Sequence, residues 1–369
     1  MTQFLRFRAF PGLLLSAFLT AIPARAQVVY TDGQTDTTAR TTTAGSPLTL
    51  TISAGTATQS GVISGDGSIT KTGDGTLRLT GTNAYTGGTT ISAGTLATTS
   101  SSGTATSGAI SIAAGATLDL GSQNLGLAGT LAARISGPGT VTTTGAFNNG
   151  NHTSFTRDFA LGGTASLNHT GTGTLTLTGA STYSGSTSVS NGTVRVNGSI
   201  AGSGVTVQSS GTLGGTGTIG AAATFASGAH LAPGNSPGTL TFNAGLTLST
   251  GSILDFELGT ASDQIVLAGG SLTGPGSVGG VTVNLSDSGG FAAGTYTLIN
   301  YTSATLPSGY AADSFALGTT IAGYTYNFSR SGNSLLLSAT ASAIPEPSTY
   351  AVLAGLGALA LAFYRRPKR

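Results

Sequence analysis

The chain has no cysteine, no tryptophan and a single methionine in 369 residues. Without cysteine there can be no disulfide, no thiolate nucleophile and no Cys-ligated metal. Charge is scarce too: 7% of residues are Asp, Glu, Lys or Arg, against ~25% in an average globular protein. Disordered chains combine low hydrophobicity with high net charge, whereas this one is 38% hydrophobic. Its formal charge of +2 is an effect of the ends. Arg6, Arg8 and Arg25 sit near the start, and Arg365, Arg366, Lys368 and Arg369 at the finish, leaving seven cations and eleven acids between Gln27 and Ile344. A slightly acidic body has no electrostatic footprint for nucleic acid.

What is abundant is glycine, 59 residues, with Thr, Ser and Ala in short alternating runs. Thr favours strands, and Gly and Asn favour tight turns. The composition therefore predicts an all-β protein of many short strands.

The first residues read MTQFLRFRAFPGLLLSAFLTAIPARAQ. Arg6 and Arg8 form a positive n-region, and Gly12 to Ile22 an apolar h-region. Ala24 and Ala26 supply the small residues of a signal-peptidase site before Gln27. Residues 1–26 are thus read as a secretory signal peptide, which implies the secretion machinery and signal peptidase as partners. The last residues hold Pro345-Glu346-Pro347, an uncharged run from Tyr350 to Tyr364, and the cations Arg365, Arg366, Lys368 and Arg369. As a helix, 350–364 reaches only ~22 Å at ~1.5 Å per residue, short of a ~30 Å hydrocarbon core. With Ser348, Thr349 and some bilayer thinning it is expected to span marginally, its cations staying cytoplasmic.

This order of Pro-Glu-Pro, apolar helix and basic end (344–369) resembles the PEP-CTERM sorting signal of Gram-negative bacteria. The resemblance implies processing by an exosortase at or near Pro345, Glu346 and Pro347. It also implies transient anchoring in the inner membrane with the body in the periplasm, then delivery to the cell surface or extracellular matrix. A sortase signal would need Leu-Pro-x-Thr-Gly, which is absent, and a GPI tail does not end in basic residues. A plain, permanent membrane anchor is the alternative.

Within the body, KTGDGTLRLTGTNAYTGGTTISAGTL (71–96) and HTGTGTLTLTGASTYSGSTSVSNGTV (169–194) align without gaps. Leu77 and Leu79 are two apart and share a face, with Thr76, Arg78 and Thr80 on the other. One such unit cannot bury its apolar face alone, but units stacked as ladders of parallel strands can. Looser segments of the same kind fill the gaps. The predicted fold is a right-handed parallel β-helix over 27–270, clearest at 61–96 and 167–196, with a β-sandwich as the alternative. The strand-forming, more aromatic residues 271–343 are read as a β-rich cap over the open end of the stack. The repeat unit resembles the autotransporter-associated β-strand repeat, which implies a secreted β-helix. LAPGNSPGTL (231–240) with SDQIVLAGG (262–270) resembles the segment near the end of autotransporter passenger domains. The chain departs from that family in having too few residues after 270 for a complete outer-membrane barrel.

Chemistry is sparse. His152, His169 and His230 have no metal-ligand spacing. His169 stands where the first repeat has Lys71 and is expected at a solvated strand end. Asp255 and Glu257 in ILDFELG should face outward, with Leu254, Phe256 and Leu258 inward. Paired carboxylates can serve glycoside hydrolysis or Ca²⁺, but a pair on one strand is not expected to face itself across a cleft. Asp263 is expected to hydrogen-bond a turn. No catalytic residue, cofactor or metal is predicted. The expectation is a non-enzymatic surface or extracellular-matrix protein, structural or adhesive, associated with exopolysaccharide or other matrix proteins in a biofilm. A β-helix polysaccharide-degrading enzyme is the rival.

Overall fold

A computed structural model describes residues 26–99, 104, 107–150, 153–301, 312–342 and 347–364. The chain winds as a parallel β-solenoid of about 11 turns. Within one turn, strands Ile110–Ile112, Thr117–Asp119 and Leu125–Gly126 lie in three different sheets. This turn thus has one short strand on each of three sides, whereas in Thr187–Val196 a single longer strand runs across two of them.

The register shows why the sequence alternates. On the second side Leu77 pairs with Leu96, Leu96 with Leu118, Leu118 with Val141 and Val141 with Leu161. All five are fully buried. Successive members of this column are 19, 22, 23 and 20 residues apart in the chain. Their neighbours Thr76, Thr95, Thr117 and Thr140 form the adjacent column, half-buried and on the outer face. Burial of each aliphatic side chain stabilises the stack by roughly 1.5–3 kcal/mol. The gain is realised only when the next turn covers it, so the core is one column and not a set of independent units.

The two aligned repeats do not sit on the same sides. Ile69–Thr72 belongs to the six-stranded sheet of the first side, whereas its counterpart Ser166–His169 pairs in the ladder that begins at Leu125–Gly126, on the third. The repeat encodes strands and corners, and the three corners are alike enough to accept it in either place.

The expectation of a solvated His169 is wrong. His169 and Lys71 are both fully buried. Each lies two residues after an aliphatic residue of the same strand (Leu167, Ile69) and shares its inward parity. Both side chains reach backbone carbonyls at the corner that follows their strand. Lys71 Nζ donates to Gly73 O (2.6 Å) and Ala93 O (3.0 Å). The His169 ring donates from Nε2 to Gly173 O (3.2 Å) and accepts at Nδ1 from Asn149 Nδ2 (2.7 Å).

Parallel stacking continues through Val281–Gly289 and Phe315–Leu317. The pattern then changes: Ser334–Ala341 pairs antiparallel with both Gly294–Asn300 and Tyr324–Ser331. Phe291, Tyr296 and Tyr324 pack together on this antiparallel end, with ring centroids 5.0 and 4.8 Å apart.

The C-terminal helix runs Pro347–Tyr364, three residues earlier than the 350–364 read from sequence. Pro347 fits its first turn, where no backbone donor is needed. The expectation of a membrane-spanning helix requires correction. Among the described residues no helix is long and apolar enough to cross a membrane. The three added residues, Pro347, Ser348 and Thr349, are not aliphatic, and 18 residues at ~1.5 Å each still fall short of ~30 Å.

Candidate functional site

Strand Ser252–Gly259 alternates as expected: Leu254, Phe256 and Leu258 point into the core, and Asp255 and Glu257 point out, half-buried. In the next turn Asn284 lies beside Asp255 and Ser286 beside Glu257. In the preceding turn His230 pairs with Ile253. Asp255 is fully occupied by these neighbours. His230 Nδ1–H donates to its Oδ2 (2.6 Å), and Asn284 Nδ2 donates to its Oδ1 (2.8 Å). Glu257 is not: its Oε2 is buried and has no hydrogen-bond partner.

A loop after Pro233 forms the facing wall. Ser236 has φ +94°, the one non-glycine residue with positive φ among the described residues. Gly234 (φ +88°) can only be glycine, because a Cβ there would lie 2.2 Å from Asp263 Oδ1. Asp263 itself is 1% exposed. Its Oδ1 accepts from Gly238 N (2.7 Å) and its Oδ2 from Glu257 N (2.8 Å). The buried carboxylate therefore ties the loop to the acidic strand. Burial pushes its pKa up to about 6, against the pull of the two backbone donors, while nearby Glu257 raises it further and Arg195 lowers it. Arg195 reaches in from an earlier turn, and its Nη1 donates to Asn235 Oδ1 (3.1 Å).

Between these walls lies a cleft of about 370 Å³, with Arg195, Asn235, Asp255, Glu257, Asn284 and Ser286 among its lining residues. The segments 231–240 and 262–270 that the sequence singled out supply part of its lining, Ala232 to Ser236 and Asp263. The turn role expected for Asp263 is present. As expected, the two carboxylates do not face each other: both lie on one wall of the cleft, and the opposite wall comes from a loop. Arg195, Asn235 and Asn284 were missed. Parity between Val194 and Val196 marks Arg195 as outward, but which turn it stacks near is set by turn length, which the sequence does not display. Among the described residues no group of three or more His, Cys, Asp or Glu could hold a metal.

The processing residues are placed only in part. Ala26 and Gln27 are exposed, and Gln27 opens the first strand, Gln27–Tyr30. Pro347 opens the C-terminal helix. Ala24, Pro345, Glu346, Arg365, Arg366, Lys368 and Arg369 lie outside the described residues, as does His152.

Fold and cleft define an elongated parallel β-solenoid with a polar recess on one side and an apolar helix at its C-terminal end. Residues 69–97 and 167–196 match the passenger-associated-transport-repeat, and residues 343–369 match the PEP-CTERM protein-sorting motif. The chain thus carries two passenger-associated repeats and a PEP-CTERM motif. The motif implies exosortase processing, export and sorting to the cell surface. No curated protein matches the chain.

Proposed function

We propose that this is a structural or adhesive protein of the cell surface or extracellular matrix, acting within an exopolysaccharide or biofilm matrix and without catalytic turnover. The observation that carries this reading is the PEP-CTERM motif at the end of a repetitive solenoid. The outer columns of Thr offer many weak hydrogen-bonding sites along a rod, suited to polysaccharide or to other rods. In this reading the leader takes the chain through the inner membrane and is removed before Gln27. The C-terminal helix then holds the periplasmic body at that membrane until the exosortase acts. Its exposed Val352, Leu353, Leu356, Leu359 and Leu361 support such engagement, since contiguous exposed aliphatics mark a membrane or partner surface. The β-helix is read as right-handed.

Cell fractionation with an epitope near Gln27 tests the sorting. The processed body is expected at the surface or in the medium; full-length protein held in the inner membrane contradicts it. The carboxylates lining the cleft favour one rival, a polysaccharide-degrading enzyme. Reducing-sugar release on a polysaccharide panel is expected at background. Turnover abolished by Asp255→Asn or Glu257→Gln would establish the enzyme instead.

A further inference from the structure

The cleft beside Asp255 and Glu257 concentrates several locally unfavourable features. Backbone strain is present at Ser236. A carboxylate is buried at Asp263. A buried carboxylate oxygen on Glu257 lacks any donor. Each costs free energy that a plain solenoid turn avoids, and features of this kind gather at functional sites. Here they share one function: Asp263 fixes the loop of Gly234–Gly238 against the acidic strand and so holds the cleft open in one shape.

The lining chemistry selects the ligand. Glu257 offers acceptors only, Arg195 donors only, and Asn235, Asn284 and Ser286 offer both. A hydroxyl both donates and accepts, so neighbouring hydroxyls can serve the carboxylate and the guanidinium at once. An anionic ligand would face Asp255, Glu257 and Asp263, and a cationic one would face Arg195. The volume of about 370 Å³ falls in the range of small-ligand sites, ~300–1,000 Å³. We propose that this cleft binds a neutral, hydroxyl-rich saccharide unit, with Glu257 accepting from and Arg195 donating to its hydroxyls. The choice of ligand class rests on the matrix role proposed above.

The test is calorimetric titration of the mature full chain with a panel of soluble neutral and N-acetylated oligosaccharides. Glu257→Ala and Arg195→Met serve as two independent cleft variants, and Arg78→Ala, outward on another side, as the control. Saturable binding is expected, weakened roughly tenfold or more in each cleft variant and unchanged in the control. Unchanged melting curves would establish that the variants fold. Binding lost in one folded cleft variant supports the site even if the other does not fold. Binding that survives in both cleft variants, or falls equally in the control, overturns the site and leaves the surface role standing. Binding of calcium chloride or a polyamine in place of every oligosaccharide, or of nothing, overturns it too. Retention of unprocessed chain in the inner membrane would instead sink the surface role and leave a measured cleft affinity intact.

Discussion

Asp263 and Lys71 are ionisable groups held inside a chain with few charges, and each leaves a distinct pH signature. Burial raises Asp263 from 3.8 to about 6. The folded state therefore binds more protons than the unfolded one between those values, and stability falls as pH rises from 3.8 to about 6. Asp263→Asn should flatten that slope. It should also destabilise by roughly 1–3 kcal/mol, because an amide presents a donor where the carboxylate accepts from two backbone N–H groups. Melting temperature against pH for both proteins checks this; equal slopes would contradict it. Burial lowers Lys71 from 10.5 to about 8, so in that window the unfolded state binds more protons and stability rises with pH. Lys71→Met should lose that rise. The inward parity of Lys71 after Ile69, and of His169 after Leu167, could have been read from the sequence. Residue type misled, because a polar or charged side chain suggests solvent, whereas here it turns inward and donates to corner carbonyls.

At the scale of the element, the repeat carries two devices beyond its leucines. Tyr85 shares a hydrogen bond with Thr89 (2.7 Å), and Tyr183 with Thr187 (2.6 Å), all four buried. Tyr183→Phe leaves a buried Thr187 hydroxyl without that partner and should cost roughly 1–3 kcal/mol, read by urea unfolding. The second device is the corner glycine. Gly94 and Gly192 are at φ +62° and +60°, and a Cβ on Gly192 would lie 2.4 Å from Gly171 O. Gly192→Ala meets both the left-handed penalty and a backbone clash, so it should destabilise by more than the ~1 kcal/mol of an open left-handed site. An unchanged unfolding midpoint would refute the close stacking of these corners. Leu77 and Leu79, Thr76 and Arg78 fall on the faces that alternation assigns them, because period two survives in any stacked strand. The side each repeat occupies was not readable, since three similar corners accept the same unit.

For the whole molecule, the winding brings together what the chain keeps apart. Arg195, Asn235, Glu257 and Asn284 come from separate turns and meet only because turn lengths place them on one side. That convergence has no local sequence signal, whereas the sorting motif is contiguous and stands out directly. In the proposed reading the rod and its recess are the folded product, and the two ends are instructions for placing it. The helix Pro347–Tyr364, with its exposed leucines, belongs to that second part. The central claim, that the body is delivered outward with both ends processed, is tested most directly by intact-mass analysis of the protein recovered from the cell surface. The expected mass is that of a chain starting at Gln27 and ending at or near Pro345-Glu346-Pro347, without Arg365, Arg366, Lys368 and Arg369. A surface mass that retains the leader or the basic tail would contradict it.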